Sequence, residues 1–354
     1  MDIFETMKKT KTKEVLFFDE PNVGLKAILA INNTTLGPAL CSCKLYPYDT
    51  NDDAVEDALK IAKYNTYRSA LSRRDIGGGS IVLIGDPEKV KSEKYFRALG
   101  VFIDKLKGKV FVVSESGVSD EDLLELQRET EFVLGLPEIY GGSGDRAART
   151  AKGVLWGMKA AAKEKLGDIS LKGLKVSVRG VGYVGKQLVK ELLKEGAVVT
   201  VTDKVYDKIK EVQDEHPEVK VVKPSELHKQ KCDIFAPCAF DNSITMSEAE
   251  YLNCSIIAGS TNCAISNKKV LKYLEEKGIL VLPGYLINSG DVIQVSNELD
   301  GYNIHKTESE LKSIYYRTLW ILQKAKKEKK FVSEIAIEEA EKYIDEISYI
   351  KSLR

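Results

Sequence analysis

The six residues Gly180-Val181-Gly182-Tyr183-Val184-Gly185 form the pattern with the clearest chemical meaning in the chain. A glycine at the first position permits a tight turn, and one at the second lets backbone approach a diphosphate. The third lets a helix close onto the strand before it. The flanking sequence suits that duty: Leu174 to Arg179 reads as a strand, residues 186–195 as a helix closed by Gly196, and residues 197–202 as a second strand. N–H groups and partial positive charge at the helix start would meet the phosphates. Asp203 follows the second strand, where its carboxylate would accept hydrogen bonds from an adenosine ribose and repel a 2′-phosphate. The motif therefore predicts a dinucleotide site that takes NAD in preference to NADP, with Lys204 beside Asp203 weakening the exclusion. The same domain around another nucleotide, or none, is the competing reading.

Other chemistries are poorly supplied. Only three histidines occur, His216, His228 and His305, which disfavours histidine triads and zinc sites built on several imidazoles. The six cysteines, Cys41, Cys43, Cys232, Cys238, Cys254 and Cys263, show no C-x-x-C spacing. Reduced thiols in a cytoplasmic protein are expected, with no disulfide framework and no metal site. Fifty-three Lys and Arg balance fifty-three Asp and Glu, so no net field draws nucleic acid or an anionic membrane. No stretch approaches ~18 uncharged apolar residues, so no membrane span is expected either.

The elements that must position this chemistry fall into domains. At 354 residues, 43% hydrophobic and 30% charged, the chain reads as a globular protein of two domains and a smaller third piece. Residues 24–31 and 39–47 read as strands, 53–71 as a helix, and Gly77-Gly78-Gly79 leads into the apolar run Ser80 to Ile84. A helix over 89–106, a strand over 109–114 and a helix over 120–129 complete a mixed α/β region. After the loop Tyr140 to Asp145 and a helix over 150–166, strand and helix alternate as in a doubly wound parallel sheet. The expected division is therefore α/β throughout: residues 1–140 as a substrate and oligomerisation domain, 141–306 as a Rossmann domain, and 307–354 as helices packing back on the first.

Ordered motifs extend the reading. They include Thr34-Thr35-Leu36-Gly37-Pro38-Ala39-Leu40, Ala54-Val55-Glu56-Asp57-Ala58-Leu59, Gly77-Gly78-Gly79 and Ile84-Gly85-Asp86-Pro87. Later come Gly157-Met158-Lys159, Ala236-Pro237-Cys238-Ala239, Ile257-Ala258-Gly259-Ser260 and Glu298-Leu299-Asp300-Gly301-Tyr302-Asn303. Through them the chain resembles the leucine, valine and phenylalanine dehydrogenases of the glutamate dehydrogenase superfamily, and leucine dehydrogenase most. The resemblance implies an N-terminal substrate domain, a C-terminal Rossmann domain, a cleft between them and a homo-oligomer. It also implies NAD-dependent exchange between an L-amino acid and a 2-oxo acid. It places Thr150 and Asn288 near the nicotinamide, Asn262 in the loop beneath the ring, and Cys238 and Ala239 along the cofactor.

The substrate half departs from the family pattern. Family members follow the glycine run with a lysine that polarises the attacking water, and this chain has Ser80. The family's acid/base aspartate falls on Glu115, the Gly-Gly of the carboxylate pocket on Cys41-Ser42, and a later glycine on Asp291. The carboxylate-binding lysine becomes Arg68, which can pair with a carboxylate through two nitrogens. Lys44 is the candidate for a displaced cation. These departures predict weak ordinary leucine deamination and an altered reaction on an amino acid, a 2-oxo acid or an imine. A catalytically silent NAD-binding homologue with a sensing or assembly role shares every cofactor residue and remains the alternative.

Overall fold

A computed structural model describes residues 2–239 and 242–353. The first elements are α1 (Ile3–Thr10), β1 (Glu14–Glu20), β2 (Leu25–Asn33), β3 (Ala39–Tyr46) and α2 (Asn51–Leu71). β4 (Gly77–Ile84), α3 (Pro87–Val90), α4 (Glu93–Asp104), β5 (Val110–Ser114) and α5 (Asp120–Gln127) follow. The five strands form a mixed sheet in the order β1-β2-β4-β3-β5. β1 and β2 pair antiparallel, as do β2 and β4, whereas β3 runs parallel to both β4 and β5.

One face of this sheet carries α2. Thr50 caps that helix by accepting the Asp53 N–H at 3.1 Å, and its buried stripe of Ala54, Ala58, Leu59 and Ala62 meets Ile28, Ala30 and Val82. The other face packs Leu29, Cys41, Cys43, Ile81 and Leu83 against Tyr95, Phe96, Leu99 and Leu123 of α4 and α5. The helix expected over 89–106 is divided, because Ser92 leaves the helical path to accept the Tyr95 N–H and start α4. The glycine run is itself strand. A methyl on Gly78 would lie 2.1 Å from the Thr66 nitrogen, so α2 rests directly on the backbone of β4.

The second series begins with α6 (Arg146–Leu166), β6 (Lys175–Arg179), α7 (Tyr183–Lys194), β7 (Val198–Thr202), α8 (Tyr206–Glu215) and β8 (Lys220–Val221). α9 (Pro224–Leu227), β9 (Ile234–Pro237), α10 (Met246–Ala249), β10 (Ile256–Ile257), α11 (Lys268–Glu276) and β11 (Leu280–Val281) continue it. All six strands are parallel in the order β11-β10-β9-β6-β7-β8. The order reverses between β6 and β9, and the carboxyl ends of the strands beside such a switch form the crevice that binds ligands in open α/β sheets. The remaining helices are α12 (Gly284–Ile287), α13 (Gly290–Ser296), α14 (Ile304–Leu311), α15 (Ser313–Glu328) and α16 (Val332–Ser352).

The chain divides into two compact units. One holds the chain up to Asp145, Gln294–Ile304 and the residues from Ala340 onward, and the other holds Arg146–Ile293 and His305–Glu339. The tail expected to pack as one piece is therefore shared. α15 buries Ile314, Ile321 and Leu322 and packs on α6 in the second unit. In the first unit, Glu341 accepts from Lys11 Nζ at 2.7 Å and Tyr67 Oη at 3.1 Å, and the Arg73 guanidinium lies 3.8 Å over the Tyr343 ring. No helix among the described residues is long and apolar enough to cross a membrane.

Candidate active site

In the second unit the glycine motif closes the turn between β6 and α7. Gly180 has a φ of 95°, a left-handed conformation natural to glycine, and its N–H donates to the Thr202 carbonyl at 2.8 Å. A methyl on Gly185 would lie 2.0 Å from the Gly180 oxygen, whereas one on Gly182 would enter open space. Gly182 caps α7 without any side-chain bond, so the first N–H groups of that helix face the same space. Tyr183 is almost fully exposed and Val184 half-buried. Asp203, just past β7, accepts the Val181 N–H at 2.8 Å through one oxygen and the Val205 N–H at 2.9 Å through the other. That places a fixed carboxylate beside the glycine turn, where a ribose would lie.

The remaining cofactor candidates gather at the same strand ends. Cys238 donates its N–H to the Arg179 carbonyl at 2.8 Å, and Ala239 lies against Gly180. Asn288 is buried, and its Nδ2 donates to Asn262 Oδ1 at 2.7 Å and to the Ser260 carbonyl at 2.8 Å. A methyl on Gly290 would lie 2.9 Å from the Thr150 nitrogen, so Thr150 at the start of α6 abuts the segment bearing Asn288. Asp291 stands in the first turn of α13. Open space at Gly182, uncapped helix N–H groups and the Asp203 carboxylate fit a dinucleotide.

In the first unit, register decides which candidates meet. Ser42 on β3 pairs with Ser80 on β4, and paired residues of parallel strands share a face, here the α2 face. Ser80 is fully buried, and its Oγ donates to the Ala58 carbonyl at 2.6 Å. Arg68, also buried, donates from Nη1 to Asn65 Oδ1 at 3.2 Å, and Asn65 Nδ2 donates to Ser42 Oγ at 3.0 Å. Lys44 pairs with Asp57 of α2 at 2.6 Å, and the same carboxylate oxygen accepts from Tyr48 Oη. Glu115 follows β5 and is exposed, with Oε1 accepting the Ser116 N–H and hydroxyl at 3.1 Å each.

Cys41 requires a correction. Alternation along β3 sends its side chain to the face opposite Ser42, where it is fully buried in the α4 and α5 core. Burial pushes the thiols of Cys41 and Cys43 well above the usual range, which keeps them protonated. Cys41 thus shapes the core and lines no pocket with Ser42. Asn65, by contrast, belongs to no motif that marks it in the sequence. Its spacing of three from Arg68 on a helix was the available signal.

The comparisons with known proteins cover both units. Residues 141–342 match the family described as Glutamate/Leucine/Phenylalanine/Valine dehydrogenase, and residues 13–135 match its dimerisation domain. The chain belongs to this family. It is 40% identical over 328 residues to a leucine dehydrogenase of Thermoactinomyces intermedius, covering 93% of this chain and 89% of that one. A phenylalanine dehydrogenase of the same organism is 37% identical over 328 residues, covering 92% and 90%. The crystal structure of an L-tryptophan dehydrogenase from Nostoc punctiforme superposes with a TM-score of 0.79 at 34% identity, covering 98% of this chain and 99% of that one. Membership of the Glu/Leu/Phe/Val dehydrogenases and the Rossmann fold imply NAD(H) as the cofactor. The same membership makes the chain an amino-acid dehydrogenase homologue with a dimerisation domain at its N-terminal end.

Proposed function

We propose that the protein is an NAD(H)-dependent oxidoreductase acting at the C–N bond of an amino acid or its imine, with reduction of a preformed imine favoured over hydrolytic deamination. Bound NAD(H) would exchange a hydride with the carbon bearing the nitrogen. Arg68 would hold the substrate carboxylate and Glu115 would give or take the proton at nitrogen, its Oε1 held by Ser116. Thr150, Asn262 and Asn288 would line the nicotinamide, with Asp291 near the substrate.

The observation that carries this reading is the state of Ser80, whose hydroxyl is committed to the Ala58 carbonyl and brings no charge. Deamination passes through a carbinolamine formed with water, and a preorganised cation steadies the oxygen charge in that step. Losing such a group costs on the order of 10²–10³ in rate, or roughly 3–4 kcal/mol of barrier. Lys44, the candidate for a displaced cation, is engaged with Asp57. Reduction of an imine already formed needs only hydride and one proton, so it escapes that penalty.

The test is spectrophotometric: NADH consumption with a cyclic imine carboxylate and with 2-oxo acids plus ammonia, and NADH formation with L-amino acids. The imine should turn over fastest. Leucine deamination at a rate matching or exceeding imine reduction would overturn the reading.

A further inference from the structure

We propose that Cys232 and Cys254 form an oxidisable dithiol, a modification site at which hydrogen peroxide closes a reversible disulfide between neighbouring strands of the parallel sheet. The pairing is one of register. Lys231 bridges Asn253 in parallel, Ile234 pairs with Ile256 in the same register, and the Cys232 N–H donates to the Asn253 carbonyl at 3.1 Å. Cys232, just before β9, therefore stands directly opposite Cys254, just before β10. Paired residues of parallel strands share a face, and both side chains reach the apolar cluster that holds Leu252, Ile257 and Leu274. Neighbouring strands lie about 4.7–4.9 Å apart, within the roughly 4.4–6.8 Å that separates the Cα atoms of a disulfide. The bond can close with little movement of either strand.

The two thiols differ in state, and that difference orders the reaction. Cys254 donates its S–H to the Cys232 sulfur. This hydrogen bond, with help from Ser177, outweighs burial and the neighbouring Asp233 carboxylate, and holds the Cys232 thiol below its ordinary pKa. The same bond, and then burial, keep Cys254 protonated. Burial also pushes up the thiols of Cys41, Cys43 and Cys238, which makes them poor competitors. Cys232 is buried, but Cys254 beside it is only half-buried, which gives a molecule as small as peroxide its approach. The Cys232 thiolate attacks one peroxide oxygen, the O–O bond breaks, and the departing hydroxide takes a proton and leaves as water. The Cys254 sulfur then attacks the sulfenic sulfur so formed; its proton goes to the sulfenic hydroxyl, which leaves as a second water while the S–S bond forms. Two thiols are oxidised by two electrons in all, and one peroxide is reduced to two waters. The site lies at the amino ends of β9 and β10, whereas Cys238 and Ser260 follow their carboxyl ends. Closure therefore leaves the dinucleotide crevice untouched.

The experiment counts thiols. The full chain, reduced and then freed of reductant, is treated with hydrogen peroxide, denatured in N-ethylmaleimide and weighed by mass spectrometry. The labels should fall from six to four and return to six after dithiothreitol. Digestion with trypsin and Glu-C parts the two cysteines, and should yield peptides joined from Cys232 to Cys254. Cys232→Ser and Cys254→Ser should each abolish that joined pair. The joined pair is sought in the unsubstituted chain, so it decides the matter even if a serine variant folds poorly. NADH affinity of the joined form should stay within about twofold of the reduced form. Six labels retained under peroxide that fully oxidises glutathione, or a pair lost from other cysteines, would overturn the proposal. A larger loss of NADH affinity would overturn the site's separation from the crevice.

Discussion

Alanine at Gly78 is expected to separate α2 from the mixed sheet of the first unit. The added methyl would lie 2.1 Å from Thr66 N, 2.3 Å from its Oγ1 and 2.5 Å from its Cα. Non-bonded carbon contacts are comfortable at about 3.5–4.0 Å, so the overlap exceeds an ångström. The obstacle is helix backbone, which has no alternative rotamer to adopt. Overpacking usually costs about 1–3 kcal/mol, and a collision of this kind belongs at the upper end, about 3 kcal/mol. At roughly 2–4 °C per kcal/mol for a unit of this size, the melting temperature of the Gly78→Ala variant should fall by about 6–12 °C. Relief by lifting α2 would also carry Asn65 and Arg68, the neighbours of Thr66, away from β3 and β4. Affinity for a 2-oxo acid should fall with stability, while NADH affinity, which rests on the glycine turn of the other unit, should hold. Differential scanning calorimetry and NADH fluorescence titration measure the two effects. A melting temperature within about 2 °C of the parent would refute the close approach on which the argument depends.

At Gly182 the opposite pattern is expected, because a methyl there meets nothing within 4 Å and the backbone φ is −68°. Gly182→Ala should leave melting unchanged, or raise stability by up to about 1 kcal/mol, yet weaken NADH at least about tenfold by filling the diphosphate's approach; unchanged NADH affinity in a titration would contradict this. Glu115→Gln should lower kcat by about 10²–10⁴ with NADH binding intact, and retained turnover would place proton transfer elsewhere. Burial, and then the nearby Glu334 carboxylate, push Glu275 up to about 7. The folded state thus keeps a proton that the unfolded chain has released, so stability is full below about pH 4.5 and declines as pH rises to about 7. The shift corresponds to about 3 kcal/mol, reduced to about 1–2 by solvent around a half-exposed group, so Glu275→Gln should raise the melting temperature at pH 8 and not at pH 4. Equal changes at both pH values would count against it.

Much of the second unit is legible in its residues, because a dinucleotide turn imposes local requirements. Gly180 needs a left-handed backbone, Gly185 needs to touch the backbone of the turn at Gly180, and Asp203 must follow the next strand, all within some twenty-five residues. The first unit is harder to read because its site is assembled by register. Nothing local shows that Ser42 faces α2 while Cys41 faces α4. That follows only once β3 is paired with β4 and β5. Asn65 is hard to read for a related reason, since its partners lie 23 and 14 residues away on two strands. β1 is equally inconspicuous in the sequence, although its pairing with β2 runs unbroken from Glu14 opposite Ile31 to Glu20 opposite Leu25.

The first unit is closed by residues that come after the whole parallel sheet of the second unit in the chain. Glu298 receives the Gly135 N–H at 3.1 Å, the Ser143 N–H at 3.0 Å and the Ser143 hydroxyl, and Gln294 donates to the Ser143 carbonyl at 2.7 Å. Lys351 reaches the Leu36 carbonyl at 3.3 Å. A fragment ending near residue 145 would leave these backbone groups and the surface beneath α16 without partners. Such a fragment should emerge from synthesis incomplete and exposed, waiting through some two hundred further residues for its own closing pieces. Folding of the substrate half is thereby tied to completion of the cofactor half, and chaperones would meet the N-terminal part as a long-lived nascent intermediate.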